Sequence, residues 1–388
     1  MRAETIQGFR FSRVHLENWR NFSDVTAELQ RRVFLVGPNA SGKSNLLDVF
    51  RFLRDIVATG GGFQEAVQKR GGVSSLRCLA ARRFPDVKVS VEVAGPEGGA
   101  RWGYELQFSQ DNLRRPVIRR ETVIHDGQTV LSRPKVEDEE DPARLTQTHL
   151  EQVTANKDFR EVADFFGSVR YLHIVPQLVR EPDRSVGREN DPYGGDFLEQ
   201  VARKHKRTQG AWLRRIQEAL KVAVPQLIEL ELHRDQRDGT PHLRGKYEHW
   251  RPQGAWQGED VFSDGTLRLI GLLWAVLDGS GPLLLEEPEL SLHPEVVRYL
   301  PQMLRSTQRR SGRQIMVSTH SSDLLQDTGI GLDEVLLLQP EVEGSSVRPA
   351  SAYDEVKELL AGGLSLAEVV MPRTSPRRVE QLALFGDS

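Results

Sequence analysis

Residues 36–45 read VGPNASGKSN, and within them Gly37-Pro38-Asn39-Ala40-Ser41-Gly42-Lys43-Ser44 fits G-x-x-x-x-G-K-[ST]. The spacing has a physical reason. Two glycines let the backbone curl so that its N–H groups face inward toward phosphate oxygens. A helix that follows offers its positive N-terminus to the same group. Lys43 supplies a point charge for the β- and γ-phosphates, and the Ser44 hydroxyl is a ligand for Mg²⁺. The flanks suit this use, because the apolar run VFLV precedes the glycines and SNLLDVFRFLRDIV (44–57) has helical spacing of apolar residues. A chain carrying this element folds around a strand–loop–helix, which points to α/β architecture.

Composition narrows the class. Apolar residues make up 38% of the 388, and no apolar run reaches the ~18–20 residues of a spanning helix. The N-terminus MRAETIQGFRFSR lacks the apolar stretch of a secretory signal. A single cysteine, Cys78, excludes an internal disulfide and a cysteine-based metal cluster. A cytoplasmic protein without a membrane partner is expected. The net charge of −3 speaks against a globally basic nucleic-acid coat, although charge is uneven: EDEEDP (137–142) is acidic and loop-like, and RKHKR (203–207) with Arg214 and Arg215 is basic.

Strands are expected at 11–22 and 31–37. The alternation over 84–132 predicts an antiparallel sheet of hairpins. A helix is expected around 145–168 and a strand at 171–176. Residues 194–224 read as helical, and 227–250 as a hairpin turning near Asp238-Gly239. Toward the C-terminus, a helix at 265–278 precedes strand 282–288, helix 295–308 and strand 313–320, a parallel arrangement.

The stretch LLLEEPELSLHPE (283–295) drives a buried strand into Glu286 and Glu287. Carboxylates at the end of a buried strand are costly unless something compensates them. A metal ion and a phosphate would do so. Beside a nucleotide, Glu286 reaches Mg²⁺ and Glu287 polarises the attacking water as general base.

This stretch resembles the Walker B and D-loop region of ABC-type ATPases of the SMC/RecF/OLD (overcoming lysogenization defect) group. FSDGTLRLIGLLWAV (262–276) is similar to that group's signature motif, IMVSTHSSDLL (315–325) to its switch histidine region, and LENWRNF (16–22) to its N-terminal strand–turn. The stretches come in the group's order and cover about residues 10–60 and 260–325. Two departures are visible. The signature reads Ser263-Asp264-Gly265-Thr266 in place of L-S-G-G-Q, and Glu286 stands where an Asp is usual. Both are familiar from the OLD-like branch and argue against a transporter subunit.

The resemblance implies a P-loop NTPase ABC-type ATPase head with an antiparallel β lobe and an inserted helical subdomain. ATP and Mg²⁺ are the implied cofactors. The implied ATP-binding residues are Gly37 to Asn45 together with Arg20, placed either at a phosphate or on the adenine side. His320 senses the γ-phosphate. Residues Ser263 to Thr266 face the nucleotide of a second subunit in a head-to-tail homodimer, and Arg268 is a candidate to act across it. A Gln that contacts the metal is expected where the inserted lobe begins, with Gln177 the candidate and Gln64 its competitor. Five segments are expected: 1–60 and 256–340 as the two parts of the core, 61–176 as the β lobe, 177–255 as the inserted subdomain, and 341–388 as extension and tail.

Two further stretches have alternative readings. The basic segment Arg203–Arg215, with Trp212, either grips a DNA backbone or is a solvated helix face. Gln381-Leu382-Ala383-Leu384-Phe385 is similar to the Q-L-x-L-F peptide that binds the replication sliding clamp, or else folds back on its own chain. No D-x-D follows His320 and no sustained heptads occur, so the resemblance reaches neither a Toprim nuclease nor SMC-type arms. An ATPase that controls a separate effector, in anti-phage defence or in DNA repair, is the expected function. A slowly hydrolysing scaffold is the alternative.

Overall fold

A computed structural model describes residues 7–80, 86–96, 101–181, 191, 193–237, 239–248 and 255–375. The chain opens with strands β1 (Arg10–Trp19), β2 (Phe22–Glu28) and β3 (Arg32–Val36), then the loop helix (Lys43–Val57). Strands β4 (Val87–Ala94), β5 (Arg101–Gln110), β6 (Pro116–His125) and β7 (Gln128–Arg133) follow. Next come β8 (Arg170–Leu172), the helices Phe197–Ala202 and Lys206–Leu220, and strands β9 (Leu227–Arg234), β10 (Pro241–Tyr247) and β11 (Ala255–Gly258). The remaining strands are β12 (Leu283–Glu286), β13 (Ile315–Thr319), β14 (Val335–Glu341) and β15 (Gly344–Pro349), with the helix Asp264–Leu277 before β12 and Pro294–Ser311 after it.

Two compact units form. The first gathers Met1–Arg170, Ser280–Leu284 and Pro301–Ser388; the second gathers Tyr171–Gly279 and Leu285–Leu300.

In the first unit, an antiparallel sheet runs in the order β2-β1-β4-β5-β6-β7. The N-terminal strands therefore belong to the same sheet as the hairpins, which the linear reading did not bring together. The expected strand at 11–22 is broken by a turn, where Asn18 and Arg20 take left-handed φ of 55° and 51°. To a second, six-stranded sheet this unit contributes the run β15-β14-β3-β13. Its β3 is buried throughout and pairs in parallel with both β13 and β14, as expected for a strand covered on both faces. The loop helix lies against the antiparallel sheet through aromatic pairs: Phe11 with Phe50 at 4.6 Å, Trp19 with Phe52 at 5.2 Å, and Phe52 with Phe108 at 5.8 Å. Each such buried ring contributes about 1.5–3 kcal/mol. At the bulge in β1, the Phe11 N–H donates to Gln314 Oε1 (2.9 Å). The Gln314 amide donates in turn to the carbonyls of Phe11 (2.7 Å) and Gln30 (2.8 Å). One buried side chain thus satisfies backbone that the bulge leaves out of the ladder.

The acidic stretch corrects its reading as a loop. Val136–Glu140 is a short helix, and Asp138 is buried against Arg133 at 2.8 Å. The Arg133 guanidinium also pairs with Glu121 (3.0 Å) and donates to the carbonyls of Arg144 and Gln147. Of the helix expected around 145–168, only Arg160–Gly167 is α-helical; beside this buried cation the chain forms a 3-10 turn, Pro142–Thr146.

In the second unit, β11-β10-β9 form a small antiparallel sheet. The expected hairpin is present, β11 is an addition, and Asp238 lies outside the described residues. Trp274, Phe197, Leu213, Ile216, Leu243 and Phe262 share one buried cluster. The expected strand at 171–176 ends at Leu172, because Pro176 starts a short helix, Pro176–Val179.

Candidate functional site

The phosphate-binding loop lies in the first unit, where β3 ends. Gly37 leaves no room for a side chain: a Cβ there would sit 2.4 Å from the Leu338 carbonyl oxygen and 2.5 Å from Ser41 Oγ. Gly42 has φ 102°, and a Cβ would meet the Asn21 amide at 2.2 Å. Ala40 is left-handed as well, at φ 62°. The Lys43 ammonium is buried and donates to the carbonyls of Gly37 (2.9 Å) and Pro38 (3.1 Å). Ser41 is fully buried, yet its Oγ has no hydrogen-bond partner among the described residues. A buried hydroxyl without a partner, beside a lysine at the start of a 15-residue helix, fits a site for an oxygen-rich anion. Ser44 and Asn45 open that helix.

Asn21 fixes the loop, a role that sequence reading missed. Its Nδ2 donates to the Ser41 carbonyl (2.9 Å) and to Ser345 Oγ (2.8 Å), and its Oδ1 accepts from Asn45 Nδ2 (2.7 Å). The neighbouring Trp19 donates from Nε1 to the Asn45 carbonyl at 2.9 Å. The available signal was an Asn directly after Arg20 in the WRNF turn. The Arg20 side chain reaches from its turn to the loop helix, with Nη2 3.2 Å from Asp48 Oδ2. Arg70 grips the same carboxylate at 2.9 and 2.8 Å and reaches Asp55 at 3.0 Å. Burial pushes the Asp48 pKa up, but the Arg70 guanidinium outweighs it and holds the carboxyl below its usual range.

His320 follows β13 directly and is half-buried. Val36 and Thr319 are register partners in neighbouring parallel strands, which lie about 5 Å apart across the sheet, so Gly37 and His320 follow from adjacent strand ends.

In the second unit, Glu286 closes β12, and Glu287 has a left-handed φ of 43°. A non-glycine residue there costs of order 1–3 kcal/mol, and such strain clusters at functional sites. Two residues that sequence reading left without a role touch Glu286. The Tyr171 hydroxyl donates to its carboxylate, and His173 Nδ1 lies 3.3 Å from its carbonyl oxygen. Arg268 lines a narrow cleft with Glu286 and Glu287, next to Leu172 and Ile174. Burial pushes its pKa down, against the pull of Asp264 and Glu287. The guanidinium expected to act across a dimer thus lies beside carboxylates of its own chain.

The signature stretch forms the N-terminus of the helix Asp264–Leu277. Ser263 caps it: Oγ accepts from the Thr266 N–H at 3.1 Å and lies 2.8 Å from the Thr266 hydroxyl. Arg180 donates to Asp264 Oδ1 and to the Phe262 carbonyl, both at 2.6 Å. Gly265 is obligatory, since a Cβ would lie 2.4 Å from the Ser291 carbonyl oxygen.

The remaining candidates separate. Gln64 donates to the carbonyls of Pro116 and Thr146, each at 2.8 Å, and so ties the β lobe together. Gln177 is exposed on its short helix. In the basic segment, Lys204 is committed to Asp278 (2.5 Å) and to the Trp212 ring (5.4 Å), whereas Lys206, Arg207, Arg214 and Arg215 are exposed. Gln381–Phe385 lie outside the described residues. No helix among those described is long and apolar enough to cross a membrane.

Comparison with known proteins identifies the family and the fold. Residues 32–326 match the family described as "AAA domain, putative AbiEii toxin, Type IV TA system". No curated protein matches. Among solved structures, an Smc head bound to the C-terminal winged-helix domain of ScpA is similar at TM-score 0.55 and 12% identity, covering 89% of this chain and 99% of that one. An Smc head from Pyrococcus yayanosii, with a coiled coil and joint, gives TM-score 0.53 at 10% identity over 92% and 99%. One from Pyrococcus furiosus, bound to the C-terminal domain of ScpA, gives 0.52 at 11% over 91% and 100%. At such identities the likeness concerns the fold. The chain belongs to the AbiEii-type AAA-domain family and has the P-loop ABC-type ATPase head fold of the SMC-like group.

Proposed function

We propose that this chain binds ATP with Mg²⁺ on the 37–45 loop, hydrolyses it, and uses ATP-dependent head-to-tail pairing to control a separate effector. The observation that carries this reading is the loop itself: glycines that admit no side chain, a buried lysine, and an unpartnered buried Ser41 hydroxyl, all held in place by Asn21. Lys43 and the loop N–H groups bind the phosphates. Ser44 and Glu286 are the ligands for the metal, with Gln177 the candidate third. Mg²⁺ held there would supply charge neutralisation at the phosphate oxygens. Glu287 accepts the proton of the attacking water, and His320 hydrogen-bonds the γ-phosphate. Ser263 to Thr266 present a helix N-terminus to the nucleotide of the second subunit. The family description names a putative AbiEii toxin and a Type IV toxin–antitoxin system, which supports a part in such a system; we read that part as control of a toxic effector in anti-phage defence. Glu287→Gln tests the pairing: with ATP and Mg²⁺ its mass in solution should double by light scattering, and without ATP it should not. A variant that stays monomeric while binding ATP would defeat the pairing.

A further inference from the structure

Away from the phosphate loop, the β lobe of the first unit holds a cavity of about 410 Å³ between the β5–β6 turn and the segment 73–77. Arg77, Arg114 and Arg119 line it, with the Ser74 hydroxyl and the Asn112 amide between them. Arg119 is oriented by its own Nε, which donates to the buried Ser109 Oγ at 2.6 Å. The guanidinium groups of Arg77 and Arg114 have no ion-pair or hydrogen-bond partner among the described residues. The one carboxylate in the lining, Asp111, is already neutralised. Arg115 pairs with it at 2.7 Å, and its Oδ1 accepts the N–H groups of Leu113 (2.9 Å) and Arg115 (2.8 Å).

Three arginines lining one concavity, with the one carboxylate among its described lining residues satisfied, make a local excess of positive charge on a chain whose net charge is −3. Planar forks of this kind match phosphate oxygens bidentately. The volume falls in the range of about 300–1,000 Å³ typical of small-ligand sites. Among its described lining residues none is aromatic, so these side chains offer contacts to phosphate rather than a platform on which a base would stack. Recognition would fall on phosphates rather than on a base.

We propose that this cavity is a second anion site, separate from the phosphate loop, that takes a ligand bearing more than one phosphate. The segment that carries it is bonded to the turn that serves the loop. Arg77 bridges Trp19, the Leu76 carbonyl accepts from the Arg20 N–H, and the Cys78 N–H donates to the Asn18 carbonyl at 3.0 Å. A ligand here is therefore linked through Trp19 and Arg20 to Asn21.

Titration calorimetry of the full chain with tripolyphosphate tests the site. Lys43→Ala is used as background, so that heat from the loop does not mask it. One tripolyphosphate should bind per chain, weakening as salt rises. Arg114→Glu/Arg119→Glu should lower the affinity roughly tenfold or more. Arg114→Gln, which alters one exposed side chain, should weaken it in the same direction and guards against misfolding of the double variant. A short single-stranded oligonucleotide separates the sources. Competition with tripolyphosphate identifies a nucleic-acid backbone as the phosphate donor, and failure to compete identifies a free small ligand. Absence of tripolyphosphate binding in the Lys43→Ala protein, or affinity unchanged by the arginine substitutions, would overturn the proposal.

Discussion

Asn21 shows how much one side chain can organise. It satisfies the Ser41 carbonyl, Ser345 and Asn45 together, and leaving such buried groups without a partner costs about 1–3 kcal/mol. Asn21→Ala is expected to weaken ATP binding by roughly tenfold in calorimetry and to lower the melting temperature by a few degrees. Unchanged affinity would mean that the loop holds its shape alone. Tyr171→Phe deletes only the hydroxyl that donates to Glu286. It should raise the Mg²⁺ concentration needed for half-maximal hydrolysis without lowering the melting temperature; a variant with wild-type Mg²⁺ dependence would leave Tyr171 with no part in the site. Both residues were invisible to motif reading for one reason. The motif is local, whereas Asn21 meets Ser41 across 20 positions and Tyr171 meets Glu286 across 115.

Among the elements, those built on a single strong period were legible from the sequence. The loop helix was expected at 44–57 and found at Lys43–Val57, and the hairpins over 84–132 form β4 to β7. One misreading occurs where a buried charge overrides local preference. Arg133 draws the carbonyls of Arg144 and Gln147 inward, so the start of the helix expected around 145–168 is a 3-10 turn beside a cation and not an α-helix. The same region should show a balanced pH response. Burial, then Arg133, lowers the His149 pKa from 6.5 to about 4; the unfolded chain binds more protons between those values, so this term makes stability rise with pH. Burial raises the Glu151 pKa from 4.5 to about 7; here the folded chain binds more protons, so this term makes stability fall as pH rises across that window. The two oppose each other where they overlap. His149→Gln should expose the Glu151 slope, so that its urea midpoint drops from pH 5 to pH 7 more than the wild-type midpoint does. An equal or smaller drop would refute this balance. Phe50→Ala, which empties a fully buried site facing Phe11, should destabilise by about 3–5 kcal/mol in the same assay.

At the scale of the whole molecule, the candidate chemistry sits at the ends of strands. The parallel register of β3 and β13 brings Gly37 and His320 to one edge. In the second unit, a strained Glu287 and a tyrosine-held Glu286 stand at the end of β12. The central claim is that Glu287 is the base for hydrolysis of a nucleotide held on the 37–45 loop. The measurement that tests it most directly is phosphate release from ATP by wild type and Glu287→Gln at matched ATP occupancy. Wild type should turn over, and Glu287→Gln should bind ATP as tightly while releasing phosphate slower by roughly a hundredfold or more. If Glu287→Gln hydrolyses ATP at the wild-type rate, the claim is wrong.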